Sequence, residues 1–475
     1  MHLINNKKLL SFMASESDNS IAVNNPATGE CIGYAPITSK DEILDAIERS
    51  KLAQQSWAEQ PAKARSAVLQ QWYQLLLDNQ DDLARLMTLE QGKPLAEAKG
   101  EVMYGASFIQ WFAEEAKRTY GETIPAPSGD KRLLTIRQPV GVTTAITPWN
   151  FPIAMITRKA APALAAGCSM LIKPAEDTPL SAFAIAELAY EAGVPRDLLI
   201  IVLGKQAAEV GDIFTTHPTI RKLSFTGSTR VGRLLMQQSA QDVKRTSMEL
   251  GGNAPFIVFD DADIDSAVVG AMMSKFRNAG QTCVCANRFY VHSKVYDAFV
   301  SKFDAAVRAL KIGNGIEEGV SIGPVINQAA KNNIQSLVNK AIEQGAEPTS
   351  SIEELPGLYL QPVILKNAKH NMDIVSQEIF GPVAPVISFD TDEELIEMAN
   401  DTIYGLASYF YSQNVHRVWK VAEALQYGMV GINEGIISTE VAPFGGVKQS
   451  GIGREGGKQG IEDYMDIKYL CFGGN

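Results

Sequence analysis

Cys283 stands behind Gly280-Gln281-Thr282 and ahead of Val284-Cys285, between a charged helical stretch (Ser274-Lys275-Phe276-Arg277-Asn278) and an apolar run, Phe289-Tyr290-Val291. A cysteine at such a junction can be exposed yet held still. Its thiolate is the reactive form and needs nearby positive charge or oriented N–H groups at neutral pH. The same residue would also suit a small buried apolar position, so its partners decide. Glu249 ends a strand and faces Gly251-Gly252. In a partly desolvated pocket its pKa rises and it can act as a general base, the alternative being a helix cap or a salt bridge. Asn150 lies in Thr147-Pro148-Trp149-Asn150-Phe151-Pro152, a loop pinned by two prolines. An amide there can donate to a developing oxyanion, or the loop can be a rigid aromatic turn.

Two further groups suit a nucleotide. Thr226-Gly227-Ser228-Thr229-Arg230-Val231-Gly232 leads from a strand into a helix, whose free N–H groups and partial positive charge can seat a pyrophosphate. Lys173 and Glu176 follow the strand Met170-Leu171-Ile172. There they can grip a ribose through its hydroxyls, the carboxylate repelling a 2′-phosphate. Gly451–Gly456 matches G-x-G-x-x-G literally, but no strand precedes it and too little chain follows for a βαβ unit, so it reads as a structural loop.

The elements that must position these groups alternate. From Asp41 to about Lys117 apolar residues recur at helical spacing. Strands are expected at 141–146, 169–172, 198–203 and 220–225, with helices at 154–166, 180–191 and 231–239 between or after them. A second alternating block runs from about Gly252 to Met429, including 256–259, 295–310, 329–344 and 385–389. Such alternation means parallel sheets covered on both faces. The expected fold is α/β, with two doubly wound parallel-sheet domains and a small extended oligomerisation element. Residues 1–121 and 138–250 would form a Rossmann-like cofactor domain and 251–432 the catalytic domain. Residues 122–137 and 461–475 would pair as an added sheet at a subunit interface, and 433–460 would return past the active site.

The 475 residues are 45% hydrophobic and 20% charged, as in ordinary globular chains. A net charge of −11 argues against nucleic acid and anionic membrane surfaces as partners. No apolar run is long enough to span a bilayer, and Met1–Asn19 reads as a loose terminus of a cytoplasmic chain. Five scattered cysteines form no disulfide framework, and five unclustered histidines give no metal-ligand spacing, so no catalytic metal is expected.

Taken together, Trp149-Asn150, Lys173-Pro174-Ala175-Glu176, Phe225-Thr226-Gly227-Ser228-Thr229, Glu249-Leu250-Gly251-Gly252, Gly280-Gln281-Thr282-Cys283, Glu378-Ile379-Phe380-Gly381-Pro382 and Pro443-Phe444-Gly445-Gly446 resemble the signature set of the NAD(P)-dependent aldehyde dehydrogenases, in order and spacing. The resemblance implies that Cys283 attacks the aldehyde carbon, that Asn150 and the Cys283 N–H hold the oxyanion, and that Glu249 activates the hydrolytic water. It implies cofactor contacts from Trp149, Lys173, Glu176, Gly227, Ser228, Gly232, Leu250, Glu378 and Phe444. It also implies a homodimer or homotetramer. Met155–Lys159, Lys275–Cys285 and Gly435–Ser438 resemble the succinate-semialdehyde dehydrogenases. That narrower likeness implies a carboxylate-bearing substrate held by Arg158, Arg277 and Ser438, with γ-aminobutyrate degradation as its setting. Glutarate semialdehyde, one methylene longer, is the close alternative, and a broader-range aldehyde dehydrogenase is the other. Glu176 favours NAD, with NADP as the alternative. Cys285 is a candidate redox partner for Cys283, or a packed loop cysteine. A cysteine hydrolase, the reading from another class, would need a histidine beside Cys283; His292 is near only in sequence.

Overall fold

The computed structural model describes residues 2–474; Met1 and Asn475, at the ends of two expected units, lie outside them. Among these residues, Val142–Ile146, Ser169–Lys173, Leu199–Ile201, Ile220–Thr226 and Arg245–Glu249 form a parallel sheet. Gly451–Ile452 adds antiparallel to its Arg245–Glu249 edge. Every side chain of Ser169–Lys173 is buried, as a parallel strand covered on both faces requires. The helix Ala154–Ala166 is buried along its whole length and ends at Gly167, whose φ of +99° is the left-handed stop that glycine supplies. The helices Ala62–Asp78 and Leu95–Glu115 pack around it, with Trp72, Phe108, Ile109, Phe112 and Leu164 in one apolar cluster.

The chain starts this sheet in the middle. From Val142–Ile146 it moves outward to Ser169–Lys173 and Leu199–Ile201, then crosses to Ile220–Thr226 on the other side. The direction reverses between Val142–Ile146 and Ile220–Thr226. A crevice opens there at the carboxyl ends of strands, flanked by the Thr147–Pro152 loop and Gly227-Ser228.

A second sheet runs in the order Glu347–Pro348, Val363–Lys366, Val383–Phe389, Ala286–His292, Ala254–Val258, Ala407–Tyr411, Met429–Ile432. It is parallel except for the Glu347–Pro348 edge. Cys283 precedes Ala286–His292, so it enters from the amino end of this sheet while the first sheet presents its carboxyl ends. Met465–Gly473 pairs antiparallel with Lys131–Pro139, which also pairs with Thr123–Ile124, giving the expected added sheet. Ile467, Tyr469 and Phe472 project from it exposed.

Three expectations need correction. Ile461 lies not in a strand but in a short helix, Gln459–Glu462, so the extended run begins at Met465. The N-terminus is not loose: Ile4 and Leu9 are fully buried, and the Asn5 and Asn6 N–H groups donate to Asp82 at 3.0 and 2.7 Å. Two buried apolar residues and a carboxylate partner outweigh the entropy that normally frees a chain end. The helix before Cys283 does not continue either. It ends at Phe276, and Asn278 and Ala279 adopt left-handed backbone at φ 52° and 54°.

Candidate active site

The two sheets meet around a cavity of about 240 Å³ lined by Trp149, Asn150, Gly227, Ser228, Glu249, Leu250, Cys283 and Glu378, among others. The close approach is made by glycine. A Cβ on Gly252 would lie 2.3 Å from the Cys283 carbonyl oxygen, and one on Gly445 would lie 2.9 Å from Glu249 Oε1. Any larger residue would separate Glu249 from the cysteine loop. The Leu250 N–H donates to the Ser450 carbonyl at 2.8 Å, and Gly252 N–H to Glu378 Oε1 at 3.1 Å, fixing the glycine stretch on both sides.

Cys283 is half-buried. Burial pushes its thiol up to about 12, Glu378 and Glu249 add to the rise, and Arg158 and Arg277 oppose it. A thiol so raised holds its proton near neutral pH, and only its thiolate would be reactive. Glu249 is buried with neither carboxylate oxygen hydrogen-bonded. Burial, reinforced by the Glu455 charge, holds its pKa well above the ordinary carboxylate value. A shift in that direction lets a carboxylate accept a proton more readily. Asn150 Nδ2 donates to the Gln281 carbonyl at 2.9 Å, which points the amide at the cysteine loop.

Glu455 belongs to the glycine-rich loop that the sequence offered only as structure. The loop is structural, with left-handed backbone at Gly453, Gly456 and Gly457, but its one acidic side chain reaches the centre. Glu455 and Phe444 exchange backbone hydrogen bonds at 2.7 and 2.8 Å. The Glu455 carboxylate pairs with both Arg158 and Lys159, and the Arg158 guanidinium stacks 4.4 Å from the Phe444 ring. Lys159 Nζ also donates to Thr226 Oγ1 at 2.7 Å. Two carboxylates thus share one region with their pKa values driven apart. Glu455 stays below its ordinary value because Arg158 and Lys159 outweigh its burial, while Glu249 is driven up. Such divergence is the pattern of a site whose two carboxylates can play different parts. The signal for Lys159 and Glu455 was present, since both stand beside singled-out residues, but only tertiary folding pairs them.

Other expected residues fall where they can serve a nucleotide. Ser228 caps the Thr229–Ser239 helix, accepting the Val231 N–H at 3.4 Å. Gly232 lies inside that helix against Leu250 rather than in the cavity. Lys173 Nζ and Glu176 Oε1 are 2.6 Å apart at the end of Ser169–Lys173. Glu378 is raised to about 7 by burial, against the pull of the Gly252 N–H. The donor set fits a dinucleotide: a capped helix N-terminus at the crevice, a Lys–Glu pair one strand along, and a carboxylate deeper in the cavity. Phe444 is buried under Arg158. Arg277 packs 5.3 Å from the Phe151 ring. Ser438 lies on a half-buried loop, two residues from Glu440, which accepts a hydrogen bond from Ser107 at 3.2 Å. Cys285 is buried, its sulfur against the Lys275 and Ala286 carbonyls at 3.5 Å. His292 Nδ1 accepts the Lys294 N–H at 3.2 Å and the ring packs edge-on to Phe389. It does not line the cavity, so the pairing a cysteine hydrolase would need is not made here.

The aldehyde dehydrogenase family model matches residues 12–470, and the chain belongs to that family. It is an oxidoreductase. A glutarate-semialdehyde dehydrogenase of Pseudomonas putida is 58% identical over 97% of this chain and 96% of its own length. An NADP-named succinate-semialdehyde dehydrogenase of Escherichia coli is 56% identical over 97% and 96%. The crystal structure of succinate-semialdehyde dehydrogenase from Burkholderia pseudomallei superimposes with a TM-score of 0.97 at 53% identity, covering 99% of each chain.

Proposed function

We propose that the protein oxidises succinate semialdehyde to succinate with NAD(P)+, glutarate semialdehyde being the alternative substrate. The observation that supports a carboxylate-bearing aldehyde is Arg158. It is buried near Cys283, held charged by Glu455, and has an Nη2 with no hydrogen-bond partner. A buried cation with an unused donor is costly unless a ligand anion satisfies it. Arg277 and Ser438 would complete that end of the site.

The Cys283 sulfur bonds to the aldehyde carbon as the C=O π pair moves onto oxygen and the thiol proton passes to solvent water. Asn150 Nδ2 and the Cys283 N–H hold the resulting oxyanion. Lys173, Glu176, Ser228 and Glu378 would hold a nicotinamide nucleotide, which would supply the hydride acceptor. The carbonyl of the thioester left on Cys283 is then attacked by water whose proton passes to Glu249. The C–S bond breaks, the acid departs and the thiol is restored. Hydrolysis by Glu249 distinguishes this route from transfer of the acyl group to coenzyme A.

Reduced cofactor measured at 340 nm should form fastest with succinate semialdehyde, run beside glutarate semialdehyde and acetaldehyde. A preference for acetaldehyde would keep the family and remove the carboxylate pocket. Replacing Arg277 by Leu removes a charge-assisted hydrogen bond of about 1.5–3 kcal/mol. KM for succinate semialdehyde should then rise about 10- to 150-fold, with acetaldehyde kinetics unchanged; equal losses on both substrates would refute the role.

Glu176 supports NAD as the preferred cofactor, since its carboxylate would face a 2′-phosphate. Glu176→Ser should raise the NADP/NAD ratio of kcat/KM by about tenfold, the effect of relieving roughly 1.4 kcal/mol. An unchanged ratio would move cofactor choice elsewhere. Cys285 keeps its proposed part as a redox partner only if peroxide inactivation, reversible by dithiothreitol, is lost in Cys285→Ala. The added sheet, with its exposed apolar row, supports a homodimer or homotetramer.

A further inference from the structure

We propose that Lys93, Glu97 and Glu101 form a buried brace that positions Asn150 and the turn leading to Cys283, an inference that rests on the oxyanion role given to Asn150 above. Lys93 stands just before Pro94, the N-cap of the Leu95–Glu115 helix, and Glu97 and Glu101 sit one turn apart within it. Lys93 and Glu101 are almost wholly inaccessible. Lys93 Nζ donates to Glu101 Oε2 at 2.5 Å and to the Asn150 carbonyl at 2.7 Å, lying 4.1 Å from the Phe151 ring centre. Glu101 Oε1 accepts the Ile153 N–H at 3.0 Å and the Ala154 N–H at 3.3 Å, where the Ala154–Ala166 helix begins. Glu97 Oε2 accepts the Asn278 N–H at 2.7 Å.

These bonds converge on two loops, and those loops meet. Asn278 Nδ2 donates to the Asn150 carbonyl at 3.0 Å and to the Gln281 carbonyl at 3.3 Å, while Asn150 Nδ2 donates to the same Gln281 carbonyl at 2.9 Å. The Asn150 carbonyl is therefore gripped from behind by a cation and an amide, so the side chain is free to face the cavity. One Nδ2 hydrogen is spent on Gln281 and the other remains for an oxyanion. Glu97 meets the turn at its first left-handed residue, Asn278. Left-handed backbone is disfavoured for residues with a Cβ, and both Asn278 and Ala279 adopt it.

Stability alone is a poor reason for the trio, because buried ion pairs are often no better than apolar residues of similar volume. What apolar residues could not supply is a fixed direction for two main-chain segments. A misplacement of about 1 Å at a reacting group can cost on the order of 100-fold.

The test is a double-mutant cycle between Lys93→Met and Asn150→Ala. Each variant is assayed for aldehyde oxidation and for cofactor-free hydrolysis of p-nitrophenyl acetate, which uses the thiol and the oxyanion donors alone. Lys93→Met should lower kcat in both assays by about 100-fold, leaving the aldehyde KM and the NADH dissociation constant within about twofold. In the Asn150→Ala background it should cost less than about twofold more, since the donor it positions is gone. Equal costs in both backgrounds, or a wild-type kcat, would overturn the brace. A near-normal Asn150→Ala would overturn the Asn150 role and the brace with it, whereas a crippled Asn150→Ala with additive losses overturns the brace alone. If Lys93→Met does not fold, Glu101→Gln, which keeps shape and volume, is carried through the same cycle.

Discussion

Cys283→Ser should oxidise aldehydes at least on the order of 10⁴-fold more slowly than the wild type while binding NADH normally. The oxygen nucleophile begins from a much higher pKa than a thiol, and this cavity makes matters worse. Burial already pushes the Cys283 thiol up to about 12, with Glu378 and Glu249 adding their charge. A hydroxyl in the same place has no accessible anion, and removing one member of a catalytic unit costs nearly as much as removing all of them. The raised thiol also has a signature of its own. Without cofactor or substrate, alkylation of Cys283 followed by mass spectrometry should accelerate about tenfold per pH unit between pH 7 and 10, because only the thiolate reacts. A rate already level at pH 7 would mean that Arg158 and Arg277 prevail over burial and that the resting form is the thiolate. Cys31 and Cys471, both exposed, provide internal comparisons in the same digest.

What the sequence disclosed about this site follows from which interactions are local. Cys283, Asn150, Glu249 and Gly227 each lie at an element boundary, and glycine, proline and a change of periodicity mark such boundaries along the chain. Their convergence then follows from the sheet order, since reversal of direction beside Val142–Ile146 opens a crevice where two of those loops end. The pairing of Glu455 is not legible in the sequence, because Arg158 and Lys159 lie almost 300 residues away and its loop carries a glycine pattern with a different usual meaning. The family likeness places Arg158 at the substrate's carboxylate but does not disclose that Glu455 shares its charge and Phe444 stacks on it, with Nη2 left over. The charged stretch Ser274–Asn278 reads as helical, but the helix ends at Phe276. Periodicity carries no information about residues in left-handed backbone such as Asn278 and Ala279, where tertiary bonds from Glu97 and Asn150 outweigh local preference. The buried N-terminal segment was missed for a similar reason: two apolar residues are too few to register as a pattern, yet Ile4 and Leu9 are completely enclosed.

Glu249→Gln should separate the two halves of the reaction. Glutamine keeps the shape and the buried position but cannot take a proton. If Glu249 acts on the hydrolytic water, the variant still forms the thioester, so reduced cofactor appears in a burst stoichiometric with enzyme. Steady turnover should follow at about 100- to 10,000-fold below wild type, the usual worth of a positioned general base. The pH dependence gives a second reading. Glu249 is driven up by burial and by the Glu455 charge, and it works only when deprotonated. Wild-type kcat should therefore fall as pH drops through that raised value, and the acidic limb should be absent from the residual activity of Glu249→Gln. A burst that vanishes along with steady turnover would place Glu249 earlier, taking the proton from Cys283 itself. That outcome is chemically coherent, because a thiol raised to about 12 needs a base as much as water does. The two roles are distinguished by adding substrate to Glu249→Gln at pH 9–10, where more of the thiol ionises unaided. If the burst returns at high pH while steady turnover stays low, the carboxylate serves both steps. If neither returns, the loss comes from a displaced cysteine loop rather than from a missing base, and an intact NADH affinity would confine that displacement to the Cys283 side of the cavity.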